Sequence, residues 1–405
     1  MSESRAHRFE AAESDRSGRV WAMRTTSGAL GLIAVATVWA SASWARTWDI
    51  RADGSGDVPT IQAGADSAAH GDTLLVSPGT YYETVQIFDV KALVIRSTSG
   101  AASTIIDARH LGRVLTMRNA SVEGVTIRHG LVEDIGGGVR VFGPEAAEVR
   151  HCIIEDNIAG LTYDTGIGGG LFLDGDTGGV VVASNVIRSN VATYAGGGIV
   201  DGGSSNIIRA NVIAGNRADV LGGGVYMMWT SLLLGNIIVG NDGGYGGGGV
   251  FAPDAIGGEI RSNTVVGNRT SNGFVHGAGI QASGAVARIS HNVVVDNHNA
   301  WIGGLTGAGI VANPVTIVEC NDSWGNDMDE IVGTSTGATN FSADPQFCAV
   351  QPLTSLNFLL QVDSPCAPGN DPGGGGCALV GAAAVGCDTV SVERRTWSGV
   401  KRLFR

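Results

Sequence analysis

Residues 185–200 read N-V-I-R-S-N-V-A-T-Y-A-G-G-G-I-V, and this stretch decides the fold because it recurs. Its first half returns as N-V-I-A-G-N from Asn211, N-I-I-V-G-N from Asn236, N-T-V-V-G-N from Asn263 and N-V-V-V-D-N from Asn292. An earlier copy has Cys152 for its leading Asn and ends at Asn157. A last copy, Asn321 to Asn326, keeps both Asn but loses the apolar pair. The glycine cluster ends in turn at Gly138, Gly170, Gly198, Gly224, Gly249, Gly279 and Gly309, a step of 25 to 32 residues. A unit of that length holding two or three short strands is one coil of a solenoid.

The alternation within a coil assigns its faces. The residue after the glycines is always apolar (Val139, Leu171, Ile199, Val225, Val250, Ile280, Ile310) and is expected to point inward. The next position is mixed (Arg140, Phe172, Val200, Tyr226, Phe251, Gln281, Val311) and is expected to point outward. The fixed Asn-to-Asn step predicts sharp corners, since Asn tolerates the left-handed conformation. It also predicts an Asn ladder, each amide bonding to its equivalent one coil away at ~4.8 Å. Glycine is expected at the other corner, where no Cβ fits.

Composition narrows the rest. The 405 residues include 63 Gly but only 10 Pro, with no glycine at every third place, which excludes collagen. Hydrophobics at 43% and charges at 16% exclude a disordered chain. The net charge is −12 and the only lysines are Lys91 and Lys401, so no basic patch exists for nucleic acid or anionic lipid. From Met23 the chain reads as an export signal: Arg24, an apolar run from Leu30 to Val38, then small residues at Ala40-Ser41-Ala42 and Ser43-Trp44-Ala45. That run falls short of the ~20 residues needed to span a bilayer, and no other segment is a candidate. Residues 1–22 read as an upstream extension or a misassigned start. Five of six cysteines, Cys320, Cys348, Cys366, Cys377 and Cys387, crowd the C-terminal end, while Cys152 stands apart. Export predicts disulfides there, without fixing their pairing.

These signatures resemble the right-handed parallel β-helix of the pectin-lyase-like superfamily, in particular secreted bacterial β-helix repeat proteins, over roughly residues 48 to 388. The resemblance implies an all-β, single-stranded right-handed parallel β-helix with a short N-terminal capping helix and a cysteine-rich C-terminal cap. Thr60 to Ala69 is expected to form that helix. The implied organisation is an extension and signal peptide (1–45), an N-terminal cap (46–85), the β-helix (86–345), the cysteine-rich cap (346–388) and a tail (389–405). The entry segment, Asp53 to Gln62 with Gly79 to Glu83, also resembles that of pectin methylesterases. The catalytic motifs of methylesterases, polygalacturonases and pectate lyases are missing; His276-Gly277 and Arg288-Ile289 are only fragments.

Candidate site residues follow from stacking. Asp174, Asp176 and Asp201 follow the glycine strands of neighbouring coils, with Asp254 two coils on; together the first three would make a Ca²⁺ site or an acid/base pair. Arg140 or Arg209 would serve as the base of a lyase. His276, His291 and His298 fall in neighbouring coils as turn or surface residues. Aromatics give the fuller pattern. Tyr163, Tyr194, Tyr245, Phe274 and Trp301 sit between second Asn and glycine cluster, Phe172, Tyr226 and Phe251 on the outward strand position, and Trp229 in the loop beyond. Their flat faces suit sugar rings. The expectation is an exported, monomeric β-helix that binds a polysaccharide or cell-surface glycan. The alternatives are a Ca²⁺-dependent lyase or a glycoside hydrolase, and a structural surface protein.

Overall fold

The computed structural model describes residues 45–387 apart from 164, 176–177, 273–276, 301–306, 328–329, 334–338, 350–356 and 375. It is a right-handed parallel β-helix whose walls are three long parallel sheets of 10, 11 and 10 strands. Sheet I holds the strands that follow the glycine clusters, such as Leu171–Leu173, Ile199–Asp201 and Val225–Met227. Sheet II comes next in each coil (Val181–Ala183, Ile207–Arg209, Leu232–Leu234). Sheet III follows the first Asn (Val186–Arg188, Val212–Ala214, Ile237–Val239). A short fourth ladder after the second Asn, exemplified by Val191–Ala192 and Arg217–Ala218, leads into the next glycines.

Register is one residue per residue between coils. Leu171 pairs with Ile199, Ile199 with Val225, and Val225 with Val250. This stacks the expected inward column on sheet I, and every member is fully buried. Ile154, Ile187, Ile213, Ile238, Val265 and Val294 form the matching column on sheet III. Burying a side chain of this kind contributes roughly 1.5–3 kcal/mol, and the repetition along the axis builds one continuous core.

Two Asn ladders run the length of the repeats. In the first, the amide nitrogen of Asn185 donates to Asn211 at 2.9 Å, and the series continues through Asn236, Asn263, Asn292 and Asn321 to Asn340. The second runs from Asn157 through Asn190, Asn216, Asn241, Asn268 and Asn297 to Asn326. The corner conformation differs from expectation. The left-handed residue is the one before each Asn, such as Ser184, Ser189, Ala210 and His291. Each Asn instead holds its amide along the axis, where it both donates and accepts. Cys152 substitutes only partly: its backbone N–H donates to Asn185, while its thiol donates to the Arg150 carbonyl.

The N-terminal edge is closed as a solenoid requires. Helix α1 (Ile61–Ser67) is N-capped by Thr60, whose Oγ1 accepts from the Ala63 N–H. The Glu83 carboxylate accepts the N–H groups of Ile61 and Gln62 at 3.0 and 2.9 Å. Gln62 pairs through its side-chain amide with both backbone groups of Gln86, the edge of sheet I.

The cysteine-rich segment lies along the flank of the solenoid. Phe358, Leu360, Cys366, Cys377 and Val380 pack on Ala214, Val239, Val266 and Val295 of the outer face of sheet III. The Gly381 N–H donates to the His291 carbonyl and the Ala382 N–H to Thr264 Oγ1. Disulfides join Cys320 to Cys377 and Cys348 to Cys387, and Cys366 and Cys152 are free and buried. The segment is therefore a lateral strap, anchored at the Cys320 corner. Among the described residues no helix is long and apolar enough to cross a membrane. The segment read as an export signal and the tail (389–405) lie outside the described residues.

Candidate functional site

The outer face of sheet I is a continuous stripe with a loop wall on either side. Across the coils it reads Thr116, Arg140, Phe172, Val200, Tyr226, Phe251, Gln281 and Val311. These side chains point outward as expected, yet several are buried. The reason is the glycine three residues before the strand (Gly136, Gly168, Gly196, Gly222, Gly247 and Gly277), which takes a positive φ and packs against the stripe. At Gly196 (φ 64°) an added Cβ would lie 2.1 Å from Val200 Cγ2, so only glycine passes. Phe172 and Phe251 thus retain only 9% and 6% exposure. Tyr226 is half-buried, with its ring 5.5 Å from that of Phe251.

The wall before sheet I carries the tyrosines. Bridges pair Ala195 with Leu221 and Leu221 with Gly246, which places Tyr194 and Tyr245 in one column, two coils apart. The Val220 N–H donates to the Tyr194 carbonyl and the Tyr245 N–H to the Val220 carbonyl. Both tyrosines are half-buried, while Tyr163, in the same connection of an earlier coil, is 60% exposed. The opposite wall carries Trp229, 44% exposed, directly after the Tyr226 strand. Asp254 is exposed on that wall one coil later. Burial, with the negative fields of Asp254 and Tyr194, raises the Tyr226 phenol to about 12, so it keeps its proton at neutral pH. Phe274, Trp301 and His276 lie outside the described residues.

The acidic candidates separate. Asp174 lies against Arg140, whose Nη2 and Nε donate to it at 2.6 and 3.1 Å. Asp201 pairs in register with Leu173 and faces the interior, fully buried. Its Oδ1 accepts from Asn206 Nδ2 at 2.8 Å, and burial holds its carboxyl above the usual range. Asp176 lies outside the described residues. Among the described residues no group of three or more His, Cys, Asp or Glu is arranged to hold a metal ion. Arg209 projects from sheet II, on another face from Asp174. His291 occupies a corner, where burial lowers its pKa, and exposed His298 sits between Asp296 and Asp327.

One residue was not anticipated. Arg113 lies ahead of strand Leu115–Met117 at the charged end of the stripe, donating to the Ile135 and Gly136 carbonyls and Thr116 Oγ1, with Asp134 alongside. No repeat motif marks it, because its coil precedes the first glycine cluster.

A three-sheet parallel coil with stacked corner amides defines the protein as a right-handed β-helix protein. Residues 81–252 match the family model described as "Right handed beta helix region". Among solved structures the chain is similar to the A-module of a mannuronan C-5 epimerase from Azotobacter vinelandii. Identity is 16% over 71% of this chain and 95% of that one, with a TM-score of 0.29. It is also similar to a variant of a PL6 family alginate lyase, with 14% identity, 74% of this chain covered and a TM-score of 0.30. The match spans 54% of the lyase's length. No curated protein matches the sequence.

Proposed function

We propose that this is an exported protein that binds polysaccharide along the outer face of sheet I. The observation that carries the reading is the aromatic surface there: Tyr194 and Tyr245 in register on one wall, Trp229 on the other, Tyr226 on the floor. Pyranose rings have apolar axial faces that stack on such surfaces, and the two-coil spacing of the tyrosines, roughly 10 Å, is about two sugar units. Disulfides belong to an oxidising compartment, which supports export. Binding without turnover is favoured over lysis, since Arg140 is engaged by Asp174 and Asp201 is enclosed in the coil.

A polysaccharide array, read for retention and for unsaturated-product absorbance, tests the proposal. The expected result is retention without product, with Tyr194→Ala and Tyr245→Ala each weakening affinity by about 1 kcal/mol. Product formation would establish a lyase. Unchanged affinity in both variants would remove sheet I as the binding face.

A further inference from the structure

The charges around the sheet I stripe bear on which glycan it takes. Beyond residue 141, the sheet I strands and the loops that follow them contain no Lys or Arg. The basic residues of that region lie off these strands and the loops that follow them. Arg150, Arg209, Arg261 and Arg288 belong to sheet II and Arg188 to sheet III. Arg217 and Arg269 lie on the fourth ladder, at the start of the connections that lead to the tyrosine wall, and there each is paired with an aspartate, Asp219 and Asp242. The internal residues outside the described set add no Lys or Arg either. Asp254, by contrast, stands exposed beside Tyr226.

The charged end of the stripe is self-satisfied. Arg140 spends its guanidinium on Asp174. Arg113, largely covered, spends all three nitrogens on Ile135, Gly136, Thr116 and Asp134. A polyuronate bears one carboxylate per residue, and cations left unpaired along its path are what would favour it over a neutral chain. The whole chain, at −12, repels such a polymer at long range.

We infer that the ligand is an uncharged polysaccharide, a neutral glycan held by ring stacking and hydroxyl hydrogen bonds rather than by ion pairs. This rests on the polysaccharide reading above and narrows it. Aromatic faces provide apolar contact, and the Tyr226 hydroxyl, protonated at neutral pH, supplies a donor at the groove floor.

Affinity electrophoresis of the full chain tests this, with gels containing xylan, mannan or mixed-linkage β-glucan against gels containing polygalacturonate or alginate. Each set is run at about 20 and about 300 mM NaCl, with and without calcium. The expected result is retardation by at least one neutral gel that changes less than about twofold with salt, and no retardation by either polyuronate in any condition. Retardation by a polyuronate stronger than by every neutral glycan, lost at high salt or dependent on calcium, overturns the inference and leaves the polysaccharide reading standing. Retardation by none of the gels overturns both.

Discussion

Replacing Asn236 with Ala would remove one rung from the middle of the first ladder. Its Oδ1 accepts from the Asn211 backbone N–H at 2.9 Å and from Asn211 Nδ2 at 3.0 Å. Its Nδ2 donates to the Ile208 carbonyl and to Asn263 Oδ1, at 2.9 and 3.0 Å. All these groups are buried, so no water replaces the lost partners. Each buried polar group left unsatisfied costs ~1–3 kcal/mol, and two of them give about 2–6 kcal/mol. That is a large part of the roughly 5–15 kcal/mol that keeps a domain folded. Asn236→Asp is the sharper control. It keeps the acceptor, but its second oxygen would face Ile208 O and Asn263 Oδ1, so a near-isosteric change is expected to cost at least as much. Because solenoids unfold in parts, urea melts should be paired with amide exchange. The Asn211 amide is expected to lose protection in Asn236→Ala. A shift below about 1 kcal/mol, with the Asn211 amide still protected, would refute the ladder as a source of stability.

Three further outcomes follow from the flank and the corners. Asp322 is buried under the strap, where its oxygens accept from the Ala343 N–H and the Cys366 thiol. Burial first, and then the nearby Glu330 and Asp344 carboxylates, raise it to about 7. Its contribution is therefore complete below pH ~4 and lost as pH rises through about 7; Asp322→Asn is expected to flatten melting temperature over that range, and an unchanged slope would count against it. Reducing the Cys320–Cys377 and Cys348–Cys387 bridges, which close 57 and 39 residues, is expected to cost ~4 kcal/mol each in the chain-entropy model, visible as a lowered melting temperature. Gly196→Ala places a Cβ against Val200 and the Ile199 carbonyl at positive φ, and a loss of roughly 1–3 kcal/mol in chemical denaturation is expected.

The solenoid was legible because its two signals are geometric necessities. Glycine must stand where the chain folds over the sheet I stripe, and Asn where an amide must serve the coils on either side. The left-handed position was not legible, since Ser184, Ala210, Gly235 and His291 share no chemistry; the corner is imposed by their neighbours. Asp201 follows from the alternation itself. With Ile199 inward and Val200 outward, the next residue faces in, so the aspartate could not join Asp174 on the surface. The strap also left a trace in the repeat. Its last sheet III residue runs Glu155, Arg188, Ala214, Val239, Val266, Val295, changing from charged to apolar where the cysteine-rich segment covers it. The aromatic row was legible as a list, but exposure was not. Glycine loops cover Phe172 and Phe251 and leave Trp229 and Tyr163 to solvent.

On the proposed reading, glycan is held on the outer face of sheet I between the Tyr194–Tyr245 wall and the Trp229 loop. The most direct test is hydrogen exchange of the full chain with and without a saturating glycan that retards it in gels. Slowed exchange is expected in the loops at residues 193–196, 219–221, 228–231 and 243–246, with sheets II and III unchanged. Slowed exchange confined to sheet II or to the strap, with the sheet I loops unaffected, would contradict it.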